Sequence, residues 1–257
     1  ATIAVGNDGE SDALLGLNRI QVPADCVNAL AVGSCDRPDD GWQRAPYSSV
    51  GPGRSPGLIK PDLVDFGGSI GRPFLVVSEN NTPDLDATGG TSFAAPSVLR
   101  LGTGIRAHFG NNINLLATRT LLIHQAEKNE NLPREEVGWG RVARTLDDIV
   151  FTDDDTIRVI YQGTISPAKY IRMPIPIPDE QIQGFVGITA TLCYKSLTDP
   201  HHPGNYTRAG LEVAFRPHDG KYKNDTQLHP DTKSFFGTTQ KGMNEDELRR
   251  DAWKWEN

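Results

Sequence analysis

The chain has 257 residues, with 26 Lys and Arg against 33 Asp and Glu, so it carries a net charge of −7. That length holds one large α/β domain, or a medium domain with a smaller one behind it. The mildly acidic balance lacks a basic stripe and argues against nucleic acid as a partner. No apolar run approaches the roughly 20 residues that cross a bilayer, so no membrane partner is expected.

In chain order, Thr2–Val5 and Ala29–Val32 are compact apolar runs that end in Gly and polar residues. Buried strands of a parallel sheet read this way. Leu63–Phe66 and Phe74–Val77 are weaker strand candidates, separated by loops dense in Gly and Pro. A helix is expected from about Ser92 to His108, apolar or small almost all round, with Gly110 placed to stop it. A second helix is expected from about Asn114 to Ala126. Leu115, Leu116, Leu122 and Ile123 are read as its inward face, and Asn112 or Asn114 as its cap. A short helical piece follows near Val142–Ile149.

Composition shifts at Asp153-Asp154-Asp155, and period-2 patterns replace helical ones. Val186, Ile188, Ala190, Leu192 and Tyr194 fall on one face of a strand, and Ala209, Leu211, Val213 and Phe215 on one face of another. With Ile157–Tyr161 and Tyr170–Ile177 they make a small β-sandwich the expected architecture of residues 151–257. A charged amphipathic helix is expected over Asn244–Trp255. Cys26, Cys35 and Cys193 are too scattered for a disulfide framework or a zinc site and are read as buried or half-buried thiols. Neither a cofactor nor a metal is expected.

Two stretches carry chemistry. Gly89-Gly90-Thr91-Ser92-Phe93-Ala94-Ala95-Pro96 runs into the first helix, and Pro96 suits only the first turn or so, which puts Ser92 at the helix N-terminus. Free backbone N–H groups and the positive end of the helix dipole can stabilise an oxyanion there. The plainer reading is a Thr-Ser cap. The second stretch is Ala4-Val5-Gly6-Asn7-Asp8-Gly9, an Asn at the carboxyl end of a buried strand, where ligands bind in open α/β sheets. Its plainer reading is a turn.

With Asn28–Ser34, Arg44-Ala45-Pro46-Tyr47-Ser48-Ser49-Val50-Gly51, Lys60-Pro61-Asp62 and the closing Gly138-Trp139-Gly140 turn, these stretches resemble, in order, the subtilisin-like serine peptidases, the subtilases. The resemblance covers residues 1 to about 150. It implies an α/β fold: part of a subtilisin-like parallel sheet with a buried helix, in the C-terminal portion of a catalytic domain. It implies Ser92 as nucleophile and Asn7 as side-chain oxyanion donor. Ala4, Val5, Gly6, Gly90 and Thr91 would contact a peptide or protein substrate.

One departure is Val64-Asp65-Phe66-Gly67-Gly68, where many subtilases have Val-Ala-Pro-Gly. Another is larger. The family orders its triad Asp, His, Ser, and its Asp and His motifs lie upstream of the Asn turn, near which this chain starts. His124 and His108 sit on helices in no family motif, and Asp62 belongs to the strand motif. The chain therefore reads as a piece of a longer protein, with a nucleophile and half an oxyanion hole but no general base, and it is expected to be inactive alone. Without the upstream half, the first strand would expose an edge. The piece is then expected to homodimerise, swap, or require its missing half. A pseudo-peptidase acting as a binding or scaffolding module is the alternative. An esterase elbow fails because Ser92 is followed by Phe93-Ala94 rather than x-Gly. The compartment, bacterial cytoplasmic or secreted, stays open.

Overall fold

The computed structural model describes residues 1–54, 59–78, 84–177, 184–197, 201, 211, 213–218 and 220–234. They form two compact units, one of residues 1–54 and 59–193, the other taking in the described residues from 194 onward. The first unit is built on a three-stranded parallel sheet in the order β1 (Thr2–Ala4), β2 (Leu30–Cys35), β3 (Leu63–Phe66). In register, Ile3 lies beside Ala31, and Gly33 beside Val64.

Every residue of β2 is buried, because alternate side chains enter different cores. Leu30 and Val32 join the main cluster, Ala31 packs with Val5, Ile20 and Ala24, and Cys35 packs with Trp42, Val64 and Val137. Burial on both faces is why this strand shows no apolar–polar alternation. The outer side of β3 is covered by the closing glycine turn, with Val64 N–H donating to Gly140 O at 3.0 Å and Val142 N–H to Val64 O at 2.9 Å. No described strand lies on the outer side of β1.

Helix α1 (Thr91–Phe109) packs across all three strands, and Val98, Leu101 and Ile105 vanish from solvent. Each such burial contributes about 1.5–3 kcal/mol. Gly110 ends the helix, as expected, with its N–H on Arg106 O. Helix α2 (Leu115–His124) begins at Asn114, whose side chain accepts from Ala117 N–H, so Asn114 rather than Asn112 is the cap. Its buried residues are Ala117, Thr118, Leu121 and Leu122; of the expected inward face Leu122 is buried, Ile123 packs against the main cluster, Leu116 is half-buried and Leu115 turns to solvent. Leu115 is 77% exposed, because the rotation of α2 is set by its fit against α1, where Gly102 faces Leu122 and Thr118. Two four-residue helices follow, α3 (Arg134–Val137) and α4 (Asp147–Val150).

An antiparallel hairpin, β4 (Phe74–Val77) with β5 (Leu85–Thr88), leads into α1. The polar sequence of β5 gave no strand signal; pairing with β4 creates it.

The sandwich expected over 151–257 is not confirmed. Among the described residues the strands there are β6 (Ala214–Phe215) and β7 (Lys233–Ser234), paired antiparallel. Segments 157–161, 170–177 and 186–194 carry no strand, and Ile157, Ile177 and Val186 are exposed. A period-2 pattern becomes a strand only where a neighbour supplies hydrogen bonds and an apolar face. The expected helix at Asn244–Trp255 and the start of the strand at Ala209 lie outside the described residues.

A buried ion network locks the sheet. Lys60 Nζ, on a side chain 1% exposed, donates to Ala29 O at 2.9 Å and pairs with Asp62. Asp62 also accepts from Ala31 N–H at 2.7 Å and from Arg119 of α2. Removing one member strands a buried charge. Asp62→Ala is expected to destabilise the protein by about 3–5 kcal/mol. Its denaturant midpoint should fall accordingly, and a double replacement of Lys60 and Asp62 by apolar residues should recover much of the loss.

Candidate active site

The chain leaves β1 through Val5, whose N–H donates to Val32 O at 3.1 Å, and turns at Gly6 and Asn7. The segment Tyr47–Ser49 pins that turn. Ser49 N–H donates to Gly6 O at 3.1 Å, Gly9 N–H to Tyr47 O at 2.7 Å, and Asp8 N–H to Ser49 Oγ at 3.1 Å. From this fixed turn the Asn7 side chain reaches the start of α1. Its Oδ1 accepts from Thr91 N–H at 2.9 Å and from Thr91 Oγ1 at 3.1 Å. Both partners are donors, so the amide oxygen is the atom that faces Thr91. Nδ2 points elsewhere and donates to no other described residue.

The first N–H groups of a helix have no intrahelical acceptor. Here Thr91 spends its own on Asn7, and Phe93 N–H donates to Gly90 O at 3.0 Å. The N–H of Ser92 bonds to no described residue. Ser92 itself is exposed on the first turn, while Thr91 and Gly90 on either side of the approach are buried. A Cβ at Gly90 would lie 3.3 Å from Asn7 Nδ2. A side chain there would press on that amide, which would have to give by a few tenths of an ångström. Pro96 is the sixth residue of α1, deeper than expected. Lacking an N–H, it leaves the Ser92 carbonyl without its usual partner one turn on. The exposed Ser92, with its N–H unclaimed by any described residue, thus stands at the positive end of a 19-residue helix, and Asn7 Nδ2 lies against Gly90, two residues before it. Such a set suits a developing oxyanion.

Other sequence candidates fall differently. Val5 is fully buried in its own small core and Ala4 packs against the main cluster, so both side chains are taken up by packing. His124 bonds Thr191 Oγ1 through Nδ1 at 2.9 Å, and His108 packs edge-on against Phe109 and Phe151. Among the described residues no three His, Cys, Asp or Glu side chains group as metal ligands.

Sequence reading missed the residues that seat the helix. Phe93, next to Ser92, stacks on Phe74 at 4.9 Å, and Phe74 meets Phe66 at 6.1 Å, which fastens the hairpin to α1. Asp65 accepts from Ser97 of α1 and, at 2.8 Å, from Phe66 N–H. The signal was present in the departure from the Val-Ala-Pro-Gly pattern, since Asp65 reaches Ser97 of α1 directly and Phe66 reaches Phe93 through Phe74. Burial raises the Asp65 carboxyl above its ordinary value, against the lowering pull of these hydrogen bonds and of Arg141 and Arg100. An acid with a raised folded-state pKa binds its proton more tightly folded than unfolded. Stability therefore falls as pH rises from the ordinary carboxyl value through the raised one. Asp65→Asn is expected to flatten that fall. Its melting temperature should exceed the wild type's at neutral pH and approach it in acid.

A family model described as Peptidase_S8, subtilase family, matches residues 1–140. Among solved structures the chain is similar to the epidermin leader peptide processing serine protease EpiP of Staphylococcus aureus, with 21% identity and a TM-score of 0.47 over 61% of this chain and 41% of that one. It is similar to the CspB protease of Clostridium perfringens, at 28% identity and a TM-score of 0.41 over 51% of this chain and 28% of that one. The PatG macrocyclase domain aligns at 19% identity with a TM-score of 0.42, over 57% of this chain and 42% of that one. The chain thus spans less than half the length of each. No curated protein matches it.

Proposed function

The chain belongs to the subtilase family, and on that premise we propose that it carries the nucleophilic half of a serine endopeptidase that cleaves peptide bonds through an acyl-enzyme on Ser92. The observation that supports this most directly is the grip of Thr91 on Asn7 Oδ1, at 2.9 and 3.1 Å, which leaves Nδ2 free to donate next to the start of the helix that carries the exposed Ser92. In this reading Ser92 Oγ attacks the scissile carbonyl and its proton passes to a general base. The carbonyl oxygen, now negative, takes hydrogen bonds from Asn7 Nδ2 and the Ser92 N–H. Collapse expels the amine, and water releases the acyl group by the same path in reverse. Gly90 and the backbone of Ala4, Val5 and Gly6 flank the residue before the scissile bond. Thr91 is buried and acts by holding Asn7.

The general base and its orienting carboxylate belong, in this reading, to polypeptide that completes the sheet along the free side of β1. The chain alone is then inactive. Residues 1–150 form the catalytic portion, and residues 151–257 serve stability or recognition. The substrate is an extended peptide.

In the intact gene product, a fluorophosphonate probe is expected to label Ser92, and Ser92→Ala to abolish labelling. Asn7→Ala should lower turnover by about 10²- to 10³-fold, the effect that losing one oxyanion donor has in subtilisin. A folded, intact protein that resists the probe at every pH would point instead to a binding module that kept the fold. The 257-residue chain alone is expected to elute with the mass of a dimer or larger in size exclusion with light scattering, and an ideal monomer at high concentration would contradict the free-edge reading.

A further inference from the structure

The stretch Ala45-Pro46-Tyr47-Ser48-Ser49 holds the Asn7 turn through its backbone, yet the phenol of Tyr47 is turned the other way. Its hydroxyl lies 2.8 Å from Ser34 Oγ, on the central strand, and donates to Gly68 O at 2.6 Å. A phenol has one proton. The carbonyl of Gly68 can only accept, so Tyr47 gives its proton there and receives one from Ser34. The direction of the relay is thereby fixed: Ser34 to Tyr47 to Gly68. Burial pushes the Tyr47 phenol above its ordinary value, so it stays a donor throughout the neutral range.

The far end of this relay is the approach to Ser92. Gly67, the neighbour of Gly68, accepts from Gly90 N–H at 2.9 Å. The packing has no slack. A Cβ at Gly67 would stand 2.5 Å from Ser34 Oγ, 2.6 Å from Gly90 O and 3.1 Å from the Tyr47 hydroxyl. The next residue after Gly90 is Thr91, which fixes Asn7, and the next is Ser92. Hydrogen bonds joined by the short backbone links Gly67-Gly68 and Gly90-Thr91-Ser92 therefore connect a wholly buried strand to both groups assigned to the oxyanion.

We propose that Tyr47 is a positioning residue for the Ser92 site, its hydroxyl tying β2 to the Gly67-Gly68 segment, which in turn holds Gly90 and so sets where Ser92 and Asn7 stand. The proposal rests on the reading of Ser92 as nucleophile. Tyr47 touches no reacting atom in it; it acts through Gly90 and Thr91.

Displacement of a reacting group by about 1 Å costs on the order of 10²-fold in rate. In the intact gene product, Tyr47→Phe keeps the ring and deletes the relay. The fluorophosphonate labelling rate at saturation is expected to fall by about 10- to 100-fold, while the half-saturating probe concentration moves by less than about threefold. Ser34→Ala, which removes the donor to Tyr47 together with a long 3.4 Å contact to Cys35 O, is expected to give a smaller loss in the same direction, and it serves if Tyr47→Phe folds poorly. The losses from Tyr47→Phe and Asn7→Ala are expected to be less than multiplicative in the double variant, because the first acts by misplacing the second. Labelling that is present in the wild type and equally fast in folded Tyr47→Phe overturns this role alone. Multiplicative losses do so too, as does a loss that only tracks the folded fraction. Labelling absent from the wild type, or undiminished in Ser92→Ala, overturns the Ser92 reading and this one together.

Discussion

Two hydrogen bonds between residues 84 positions apart join the carboxyl end of β1 to the amino end of α1, and both end on the side-chain oxygen of Asn7. An amide has one oxygen and one nitrogen, so occupying the oxygen decides what the nitrogen does. Thr91 supplies a backbone N–H and a hydroxyl, and its burial keeps water from competing for either. The nitrogen is left without a partner among the described residues, against Gly90 at the approach to the helix. Whatever chemistry the helix terminus performs depends on that division of the Asn7 amide between holding and donating.

That contact holds because the elements on either side of it are fixed in depth. β2 is buried along its whole length, and the Lys60–Asp62–Arg119 network ties the strand that follows to α2 and to the backbone at Ala29. α1 lies across all three strands, its start clamped by the Phe66–Phe74–Phe93 stack and by Asp65. None of these groups touches the exposed hydroxyl. They limit how far the N-terminus of α1 can drift from the turn after β1, and a site built across two elements tolerates little drift.

The region beyond residue 150 illustrates the opposite condition. It has apolar residues at strand spacing but, among the described residues, hardly a ladder to place them in. Ile160 packs against the main core and Thr191 bonds His124, so parts of this stretch are held by the first unit rather than by one another. Arg158 likewise donates to the backbone at Ile149.

Where a residue's environment is dictated by its immediate neighbours in sequence, the sequence alone was enough. The apolar run of β2, the buried α1 with its terminal Gly110 and the Ser92 helix start are local consequences of spacing and turn chemistry, whereas the choice of Asn114 over Asn112 as cap came from the structure. The ordered motifs from Asn7 to Gly138-Trp139-Gly140 were also legible, because each is a short stretch with its own backbone demand. The partnership of Asn7 with Thr91, the hydroxyl relay through Tyr47, the grip of Asp65 and the rotation of α2 away from Leu115 were decided only by the tertiary structure. Each depends on which distant segment the fold delivers to a few ångströms, and no periodicity within one segment encodes the identity of its neighbour in space.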